Sequence, residues 1–378
     1  MKILRVSISY PREEMPGIGL SAFYHAHYSS EENMIITSYR EQKKIDCKPG
    51  LRIVEIPLAS SSLGSVNETF LRRVRKTIRK SLSQIGFLFR STKHIREYKP
   101  DVVHIYSPIP IMVGVYCKFR FKSRLVMSLH GTDVERVVSS KIFSFLLRIP
   151  DAVLLVSDSM ERKLQGKKGI KRVFYMGNGF NSNEFYNMNL HRENKFVHVA
   201  SLRWQKGQEY LIEAFASFCK EYPAYKLVIF GDGELKSDLL ELCKRKGISN
   251  NVIFEGICSH REINNELNTA KAFILSSVIE GSPKVVLEAL ATGTPVISTD
   301  VGNVKSTVKD AGIVVPSKDS ESLYRAMKEV VETDAWNALS IRAEKYSLDY
   351  TWDKVAKRLE DIYSKITHFN RREQSIEN

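Results

Sequence analysis

The amino-acid sequence predicts an α/β protein made of two doubly wound parallel-sheet domains. Short apolar runs alternate with longer stretches of helical periodicity, a rhythm typical of parallel sheets that are covered on both faces. The length of 378 residues fits two domains better than one. A turn-rich segment at 177–183, followed by a polar stretch to Asn194, separates the runs into two sets, and we place the interdomain linker there.

Thirteen apolar runs have the length and composition of buried strands. In the first half they are 3–9, 34–38, 51–56, 102–106, 125–129, 152–156 and 173–176. In the second half they are 196–200, 226–230, 252–254, 272–275, 296–298 and 313–315. We therefore expect an N-terminal domain over 1–180, a C-terminal domain over 181–350 and a final helix within 351–378. Ligands of open parallel sheets bind beyond the carboxyl ends of the strands, so functional residues are expected in the loops that follow them.

The composition is that of a globular protein, but its charge is uneven. Apolar residues make up 43% and charged residues 26%, which excludes a largely disordered chain. Positions 1–180 hold 31 basic and 15 acidic residues, whereas positions 181–378 hold 26 and 28. The basic first half is therefore expected to meet an anionic surface or ligand.

The cysteines and the N-terminus predict a cytoplasmic protein. Five widely spaced cysteines include no Cys-x-x-Cys pair, which disfavours a zinc ribbon or a disulfide framework and favours reduced thiols. The segment 1–6 is charged and too short for a signal peptide, and no uncharged apolar run approaches the roughly 18 residues that span a bilayer. Any membrane contact is expected to be peripheral, at the inner face of the cell membrane.

The richest motif lies over 280–295, directly after a predicted strand. Ser282 suits the N-cap of a helix, Pro283 suits its first position, and Gly293 supplies a C-terminal stop, so a helix of about ten residues is predicted. Free N–H groups and the helix dipole at its start favour an anion such as a diphosphate.

Two carboxylates belong to this motif. Glu280 lies just before the helix and Glu288 lies in its second turn. Glu280 either complements the helix dipole or contacts a ligand, and Glu288 either faces solvent or binds a hydroxylated ligand. Spacing alone leaves these alternatives open.

Two further loops of the second half carry residues suited to phosphate. Arg203 and Lys206 follow the predicted strand 196–200, where cations can neutralise phosphate oxygens or remain solvated. Gly231 and Gly233 follow the strand 226–230, in a turn that either approaches a nucleotide closely or merely joins a strand to a helix.

The first half has two weaker candidates. Gly17 and Gly19 precede a helical pattern and can cradle a phosphate, although the third glycine of the dinucleotide fingerprint is missing. His130 opens a polar cluster after the strand 125–129, and it is either functional or a structural histidine at a strand end.

These segments together, in this order, resemble glycosyltransferase family 4, which has the GT-B fold. The match is close over most of 196–352 and looser in the N-terminal half. Its most specific part is the Glu-x7-Glu motif formed by Glu280 and Glu288. The other matching segments are Gly281-Ser282-Pro283, Ala289, Gly293, Pro295-Val296-Ile297, Val301-Gly302, Lys206-Gly207, Gly231-Asp232-Gly233 and Phe254-Glu255-Gly256.

The resemblance implies two Rossmann-like domains that face a central cleft, and it implies roles for residues. Glu280, Lys206 and His130 are the implied catalytic residues: Glu280 and His130 lie at the donor sugar, and Lys206 stabilises the departing diphosphate. Glu288 is implied to hold the ribose hydroxyls. The implied donor-binding residues are Gly17, Gly19, Arg203, Lys206, Gly231, Glu280, Gly281, Ser282, Pro283, Lys284, Val285 and Glu288.

The resemblance also implies a retaining transfer that needs no metal ion. Glycosyl transfer builds negative charge on the leaving diphosphate, and preorganised cations and N–H groups can stabilise it. The sequence has no Asp-x-Asp motif of the kind that commonly holds the ion in metal-dependent transferases. One departure concerns Ser201, which stands where many relatives have the diphosphate arginine: either Arg203 takes this role from a shifted position, or Lys206 acts with the backbone alone.

A basic amphipathic helix is predicted within 70–99. This segment contains ten Lys or Arg and one acidic residue, Glu97, with apolar residues at three- and four-residue steps. It suits an anionic membrane surface, or else it is a core-packed helix with a solvated basic face. The residues expected to contact the membrane are Arg72, Arg73, Arg75, Lys76, Arg79 and Lys80.

The favoured interpretation is a cytoplasmic, hexosyltransferase-type enzyme that moves a sugar from a nucleotide-sugar to a glycan or lipid-linked oligosaccharide. The N-terminal domain is expected to bind the acceptor, the C-terminal domain the donor, and the last helix to pack back on the first domain. Synthesis of bacterial surface polysaccharide or lipopolysaccharide is the expected setting. The alternatives are a GT-B sugar epimerase or phosphorylase and a non-catalytic nucleotide-sugar-binding membrane scaffold. A nucleic-acid partner is not expected, because no recognised nucleic-acid motif is present.

Overall fold

The computed structural model describes residues 1–8, 20–39, 48–57, 70–164, 169–333 and 336–374. The chain divides into two compact units. The N-terminal unit comprises Met1–Met176 and Asp353–Asn378, and the C-terminal unit comprises Gly177–Trp352. The second unit is thus inserted between the two segments of the first.

The N-terminal unit has a seven-stranded parallel sheet in the order β3-β2-β1-β4-β5-β6-β7. Its strands are β1 (Lys2–Ser7), β2 (Glu32–Tyr39), β3 (Arg52–Pro57), β4 (Val102–Ile105), β5 (Arg124–Leu129), β6 (Ala152–Leu155) and β7 (Val173–Tyr175). Its helices are α1 (Leu20–His27), α2 (Phe70–Tyr98), α3 (Ile111–Phe121), α4 (Gly131–Ser139), α5 (Lys141–Leu146) and α6 (Asp158–Leu164). Helix α14 (Trp352–Gln374) belongs to this unit from its second residue, Asp353, onward.

The C-terminal unit has a six-stranded parallel sheet in the order β10-β9-β8-β11-β12-β13. Its strands are β8 (Lys195–Val199), β9 (Lys226–Phe230), β10 (Val252–Gly256), β11 (Ala272–Leu275), β12 (Val296–Thr299) and β13 (Gly312–Val315). Its helices are α7 (Gln208–Glu221), α8 (Lys236–Arg245), α9 (His260–Thr269), α10 (Lys284–Ala291), α11 (Val304–Val308), α12 (Ser320–Glu332) and α13 (Trp336–Ser347), and α14 (Trp352–Gln374) follows them.

The predicted fold class is confirmed in both units. Each of the thirteen predicted strands is present, and their ends agree within two residues. Successive residues of β11 enter different apolar clusters: Ala272 and Ile274 pack with α7, whereas Phe273 and Leu275 pack with α10. The sheet is therefore covered on both faces, as its continuous apolar strands require.

The core of the N-terminal unit contains a buried arginine. Arg5 on β1 is fully buried, and its Nη1 donates hydrogen bonds of 2.9 Å to the hydroxyls of Tyr106 and Tyr363. Its Nε donates to Asn33 Oδ1 at 2.8 Å. Tyr363 lies on α14, beside the buried apolar residues Leu359 and Ile362 of the same helix. The guanidinium therefore joins α14 to the sheet through neutral oxygen acceptors, which satisfy its buried donors.

The predicted basic helix is present as α2. Phe87, Ile95 and Tyr98 are buried, whereas Lys93 and Arg96 are exposed, so the second half of α2 is a core-packed helix with a solvated basic face. The six basic residues proposed for membrane contact lie in the first half, where the structure describes the backbone alone. Among the described helices, none has the length and apolarity needed to cross a membrane.

Candidate active site

Four loops meet at the carboxyl edge of the sheet in the C-terminal unit. They follow β8, β9, β11 and β12, and backbone hydrogen bonds join the first three of these loops. Leu202 N donates to Asp232 O at 3.0 Å, which joins the loops after β8 and β9. Val278 N donates to Gln205 O at 2.8 Å, which joins the loops after β8 and β11. The predicted loops are thus brought together at the edge where parallel sheets bind ligands.

Two glycines allow these loops to approach closely. Gly207 has φ +59°, and a Cβ at this position would lie 2.3 Å from the carbonyl oxygen of Ser276. Gly302 has φ +58°, and a Cβ there would lie 2.3 Å from the carbonyl oxygen of Gly281. Only glycine combines this backbone conformation with this spacing, so both residues are required by the packing of the loops.

Lys206 and Glu280 form an ion pair where the loops meet. Lys206 Nζ donates to Glu280 Oε1 at 2.6 Å, and Ser277 Oγ donates to the same oxygen at 2.9 Å. The two side chains are 26% and 12% exposed, so the pair is accessible to a ligand but largely shielded from water. Ser276 Oγ donates to the backbone oxygen of Lys206 at 2.9 Å, which fixes the lysine's backbone position. Residues 74 positions apart in sequence therefore form one charged centre.

The helix after Glu280 begins one residue later than predicted. Pro283, not Ser282, occupies the N-cap of α10, with φ −71° and ψ 114°, and no side chain caps the helix. The helix spans eight residues rather than ten. The prediction that Ser282 is the N-cap was therefore wrong. The residue lies in the preceding loop, where its carbonyl oxygen accepts a hydrogen bond from Asn178 Nδ2 at 2.9 Å.

Lys284, Val285 and Glu288 form a partly exposed stripe on α10, whereas Val286 and Leu287 are buried. Burial lowers the pKa of Lys284 to about 8, although Glu288 opposes this effect. Burial also raises the pKa of the Glu288 carboxyl above its usual value, against the opposing effect of Lys284. The stripe thus presents one cation and one carboxylate in a poorly solvated setting.

A second pair lies within electrostatic range of Glu288. His260, the first residue of α9, is hydrogen-bonded through Nδ1 to Glu184 Oε2 at 2.5 Å. This hydrogen bond raises the pKa of His260, and the charge of Glu288 adds to the effect. The imidazolium in turn lowers the pKa of Glu288. Sequence reasoning missed this pair. The Ser-x-x-Glu pattern of Ser259 and Glu262 marks the start of α9 through its capping box, but it gives no partner for His260.

Arg203 and Gly231 lie in the same group of loops. Arg203 is exposed and precedes the short 3₁₀ turn Trp204–Lys206. Gly231 has φ +126° and follows β9 directly. Gly281 and Ser282 are partly exposed between Glu280 and α10. All the predicted donor-site residues of the C-terminal unit are therefore on the loops after β8, β9 and β11 or on α10.

The remaining predicted residues belong to the N-terminal unit. Gly17 and Gly19 lie outside the described residues. His130 is partly exposed directly after β5, and its backbone N–H donates to Asp133 Oδ2 at 3.3 Å. It precedes α4, so a polar residue does follow the carboxyl end of this strand. In the described part of the chain, no group of three or more His, Cys, Asp or Glu side chains is arranged to hold a metal ion.

Comparison with known families agrees with this architecture. The family model of glycosyl transferases group 1 matches residues 182–346, and the model of glycosyltransferase family 4 matches residues 53–184. An uncharacterised glycosyltransferase of Methanocaldococcus jannaschii is 28% identical over 297 residues, which cover 70% of this chain and 75% of the relative. An amylovoran biosynthesis glycosyltransferase of Erwinia amylovora is 25% identical over 295 residues, 75% of this chain and 83% of the relative.

A solved structure shows the same fold. The Anabaena protein HepE in complex with UDP superposes with a TM-score of 0.73 at 17% sequence identity, covering 97% of this chain and all of the other. At this identity the likeness concerns the fold alone. The fold of this chain is thus a known one.

Proposed function

Since the chain belongs to glycosyltransferase family 4 and is a GT-B glycosyltransferase, we propose that it transfers a sugar from a nucleotide-sugar donor with retention of configuration and without a metal ion. The acceptor is a glycan or a lipid-linked oligosaccharide of a bacterial surface polysaccharide. The amylovoran relative supports this setting, and the UDP in the HepE crystal supports a nucleoside diphosphate as the leaving group.

The observation that carries the proposal is the Lys206–Glu280 ion pair beside the start of α10. In the reaction the bond between the donor's anomeric carbon and the diphosphate oxygen breaks, and an acceptor hydroxyl oxygen forms the new bond to that carbon on the same face. Negative charge develops on the departing diphosphate, which takes up the proton of the hydroxyl. The ammonium of Lys206 lies 2.6 Å from a carboxylate oxygen of Glu280, so the cation and the sugar-contacting acid share one centre. The cation and the N–H groups of the first turn of α10 are fixed in advance, which is the arrangement that stabilises developing charge most effectively.

The other residues have supporting roles in the proposal. Glu288 accepts hydrogen bonds from the ribose hydroxyls, and its partly buried position strengthens such bonds. Arg203 adds a second cation near the diphosphate. Lys284 and Val285 present the first turn of α10 to the phosphates. His130 is the proposed catalytic residue of the N-terminal unit.

We assign the acceptor and the membrane contact to the N-terminal unit. The first half of α2 carries Arg72, Arg73, Arg75, Lys76, Arg79 and Lys80, and this charge suits an anionic bilayer. An enzyme held in this way works at the inner face of the cell membrane on a lipid-linked acceptor. Loss of binding to anionic liposomes when Leu71, Val74, Ile78 and Leu82 are replaced, with the fold retained, supports this assignment, whereas unchanged binding rejects it.

The first test is a thermal-shift panel of UDP-, GDP-, ADP- and CDP-sugars, without metal and then with magnesium. Binding to the folded state raises the melting temperature by mass action. A shift with one nucleotide and no metal supports the proposal and identifies the base. A shift that requires magnesium rejects metal independence. Nucleotide binding without turnover favours the scaffold, and turnover without an acceptor favours an epimerase.

Two variants then test the residue assignments. Glu288→Ala is expected to weaken nucleotide-sugar binding at least tenfold, because the ribose hydroxyls lose their acceptor. Lys206→Ala is expected to lower kcat more than it raises the donor KM, because the charge it stabilises develops during the reaction. Glu241→Ala on α8 and Lys220→Ala on α7 remove exposed charges from the same unit and serve as controls. Equal, small effects of both site variants on kcat and KM would reject the assignment.

A further inference from the structure

Two neighbouring helices of the N-terminal unit expose large apolar side chains to water. On α2, Phe89 is 70% exposed and Ile85 is 37% exposed. On α3, Phe119 is 81% exposed and Met112 is 36% exposed. Single exposed apolar residues are common on folded proteins, whereas a group of them on one surface indicates a binding partner. The arrangement of these four side chains therefore decides what they mean.

The exposed side chains of the two helices belong to one surface. Residues four or seven positions apart share a face of a helix, so Phe89 and Arg96 lie on one stripe of α2. Met112, Tyr116 and Phe119 lie on one stripe of α3 for the same reason. The Nε of Arg96 donates an exposed hydrogen bond of 3.1 Å to the hydroxyl of Tyr116, so the two stripes meet where the helices pack together. We call the surface that carries both stripes the α2–α3 face.

Basic side chains flank the apolar ones of the α2–α3 face. Lys93 on α2, Arg120 on α3 and Lys122, the C-cap of α3, are all exposed. The sequence of α3 contains no acidic residue. The one acidic residue in the sequence of α2 is Glu97, whose Oε2 lies 3.1 Å from Nη2 of Arg52. The face therefore combines a positive charge with exposed aromatic and aliphatic groups, which is typical of helices that lie at a membrane surface.

An anionic bilayer fits the α2–α3 face better than a second copy of the chain does. In a symmetric dimer the same face would meet itself, and its lysines and arginines would be brought together. Anionic lipids instead attract the basic side chains, while the apolar side chains enter the boundary between headgroups and acyl chains. The first half of α2 carries six more Lys or Arg residues, so the positive charge continues along the same helix.

We propose that the α2–α3 face binds an anionic bilayer, with Phe89 and Phe119 inserted among the lipids and the flanking basic side chains at the lipid phosphates. This inference rests on the proposed function for the lipid-linked acceptor. It deepens that function, because it adds α3 and the two phenylalanines to the contact made by the first half of α2. Two helices anchored together also fix the orientation of the N-terminal unit on the membrane, whereas a single helix leaves the unit free to turn about the helix axis.

The test is flotation of the full chain with lipid vesicles. We expect the wild type to bind vesicles of phosphatidylglycerol and phosphatidylcholine but not vesicles of phosphatidylcholine alone, because the basic side chains need an anionic surface. The double variant Phe89→Ser, Phe119→Ser keeps every basic residue. It is expected to bind roughly tenfold more weakly, because two large apolar side chains no longer enter the lipid. Both positions are exposed, so the variant should keep the melting temperature of the wild type.

A matched control separates insertion by this face from general apolar stickiness. The double variant Ile341→Ser, Leu348→Ser removes two exposed apolar side chains from the C-terminal unit and should float like the wild type. Equal losses in the two double variants overturn the inference, and so does unchanged flotation of the phenylalanine variant.

Two further outcomes also overturn the inference. A wild type that does not float but forms a dimer dispersed by Phe119→Ser shows that the face binds a second copy. Flotation that is lost only when the apolar residues of the first half of α2 are replaced leaves the proposed membrane contact standing without the α2–α3 face. The nucleotide-dependent thermal shift should be the same in the wild type and in the phenylalanine variant. Its absence from the wild type rejects the proposed transferase, whatever the flotation shows.

Discussion

Gly207→Ala should disrupt the site by separating two loops. The glycine has φ +59°, a conformation that costs an L-residue about 1–2 kcal/mol. In addition, the new Cβ would lie 2.3 Å from Ser276 O, so the turn must move away from the loop after β11. That movement lengthens the hydrogen bond from Ser276 Oγ to Lys206 O, which contributes about 1 kcal/mol. The expected loss in the free energy of unfolding is about 3 kcal/mol.

Gly247→Ala is the matched control for this effect. Gly247 has φ +72°, but a Cβ there would meet nothing within 4 Å. The variant therefore carries the conformational strain alone, about 1–2 kcal/mol. For a unit of this size, each kcal/mol lowers the melting temperature by roughly 2–4 °C, so Gly207→Ala should melt several degrees below Gly247→Ala.

Thermal unfolding and nucleotide binding are measured on both variants. We expect Gly207→Ala to lose nucleotide affinity as well as stability, because Lys206 moves with the turn, and Gly247→Ala to keep its affinity. Equal melting temperatures and equal affinities for the two variants would refute the reasoning that close loop packing positions Lys206.

Three further predictions concern single side chains. Burial lowers the pKa of Lys284 from 10.5 to about 8, so between these pH values the unfolded state binds more protons than the folded state. The free energy of unfolding of the wild type should therefore rise with pH over this range. Lys284→Met should abolish that rise and stabilise the chain at pH 7 by about 1–2 kcal/mol, as measured by urea unfolding at several pH values. Burial alone raises the pKa of Asp151, but hydrogen bonds from Lys118, 2.6 Å away, and from a backbone N–H outweigh it and hold the pKa below its usual value. The stability this gives is present above the unfolded pKa and is lost as pH falls through the folded one, so Asp151→Asn should flatten acid unfolding; an unchanged acid limb would contradict this. Ser259→Ala removes the capping box with Glu262 and should cost about 1 kcal/mol in chemical denaturation, and no measurable loss would count against the cap.

The strands were predictable because parallel strands buried on both faces are continuous apolar runs. The run 272–275 contains Ala, Phe, Ile and Leu, and every one of these residues is buried. Such a pattern needs no knowledge of distant residues. The two-unit architecture follows from the repeated alternation of these runs with helices.

The start of α10 was not predictable to the residue. Pro283 fits either the N-cap or the first helical position, since both accept its φ near −65°. The choice depends on ψ, and here the carbonyl of the preceding Ser282 is held by Asn178, which lies 104 positions away. A contact of that range leaves no trace in local sequence.

The Glu184–His260 pair was hidden for the same reason. The two residues are 76 positions apart, and the capping-box pattern around His260 gives no indication of Glu184 as its partner. Lys206 and Glu280 are almost as distant, yet each stands in a motif of the family, and the resemblance gave both as catalytic candidates. Motifs identify residues that act on a ligand, whereas the neighbours that tune them emerge only from the fold.

The placement of α14 has a consequence for protein synthesis. Residues 1–176 are translated before the C-terminal unit, but the N-terminal unit also contains α14 from Asp353 onward, which is translated after the C-terminal unit. Until then Arg5 lacks the hydroxyl of Tyr363, and the core lacks Leu359 and Ile362. The C-terminal unit is continuous in sequence and can fold as a body while the N-terminal unit is still incomplete. The unit whose translation starts before that of the other is therefore completed after it, and the apolar core surface that α14 covers stays uncovered while residues 177–352 are translated.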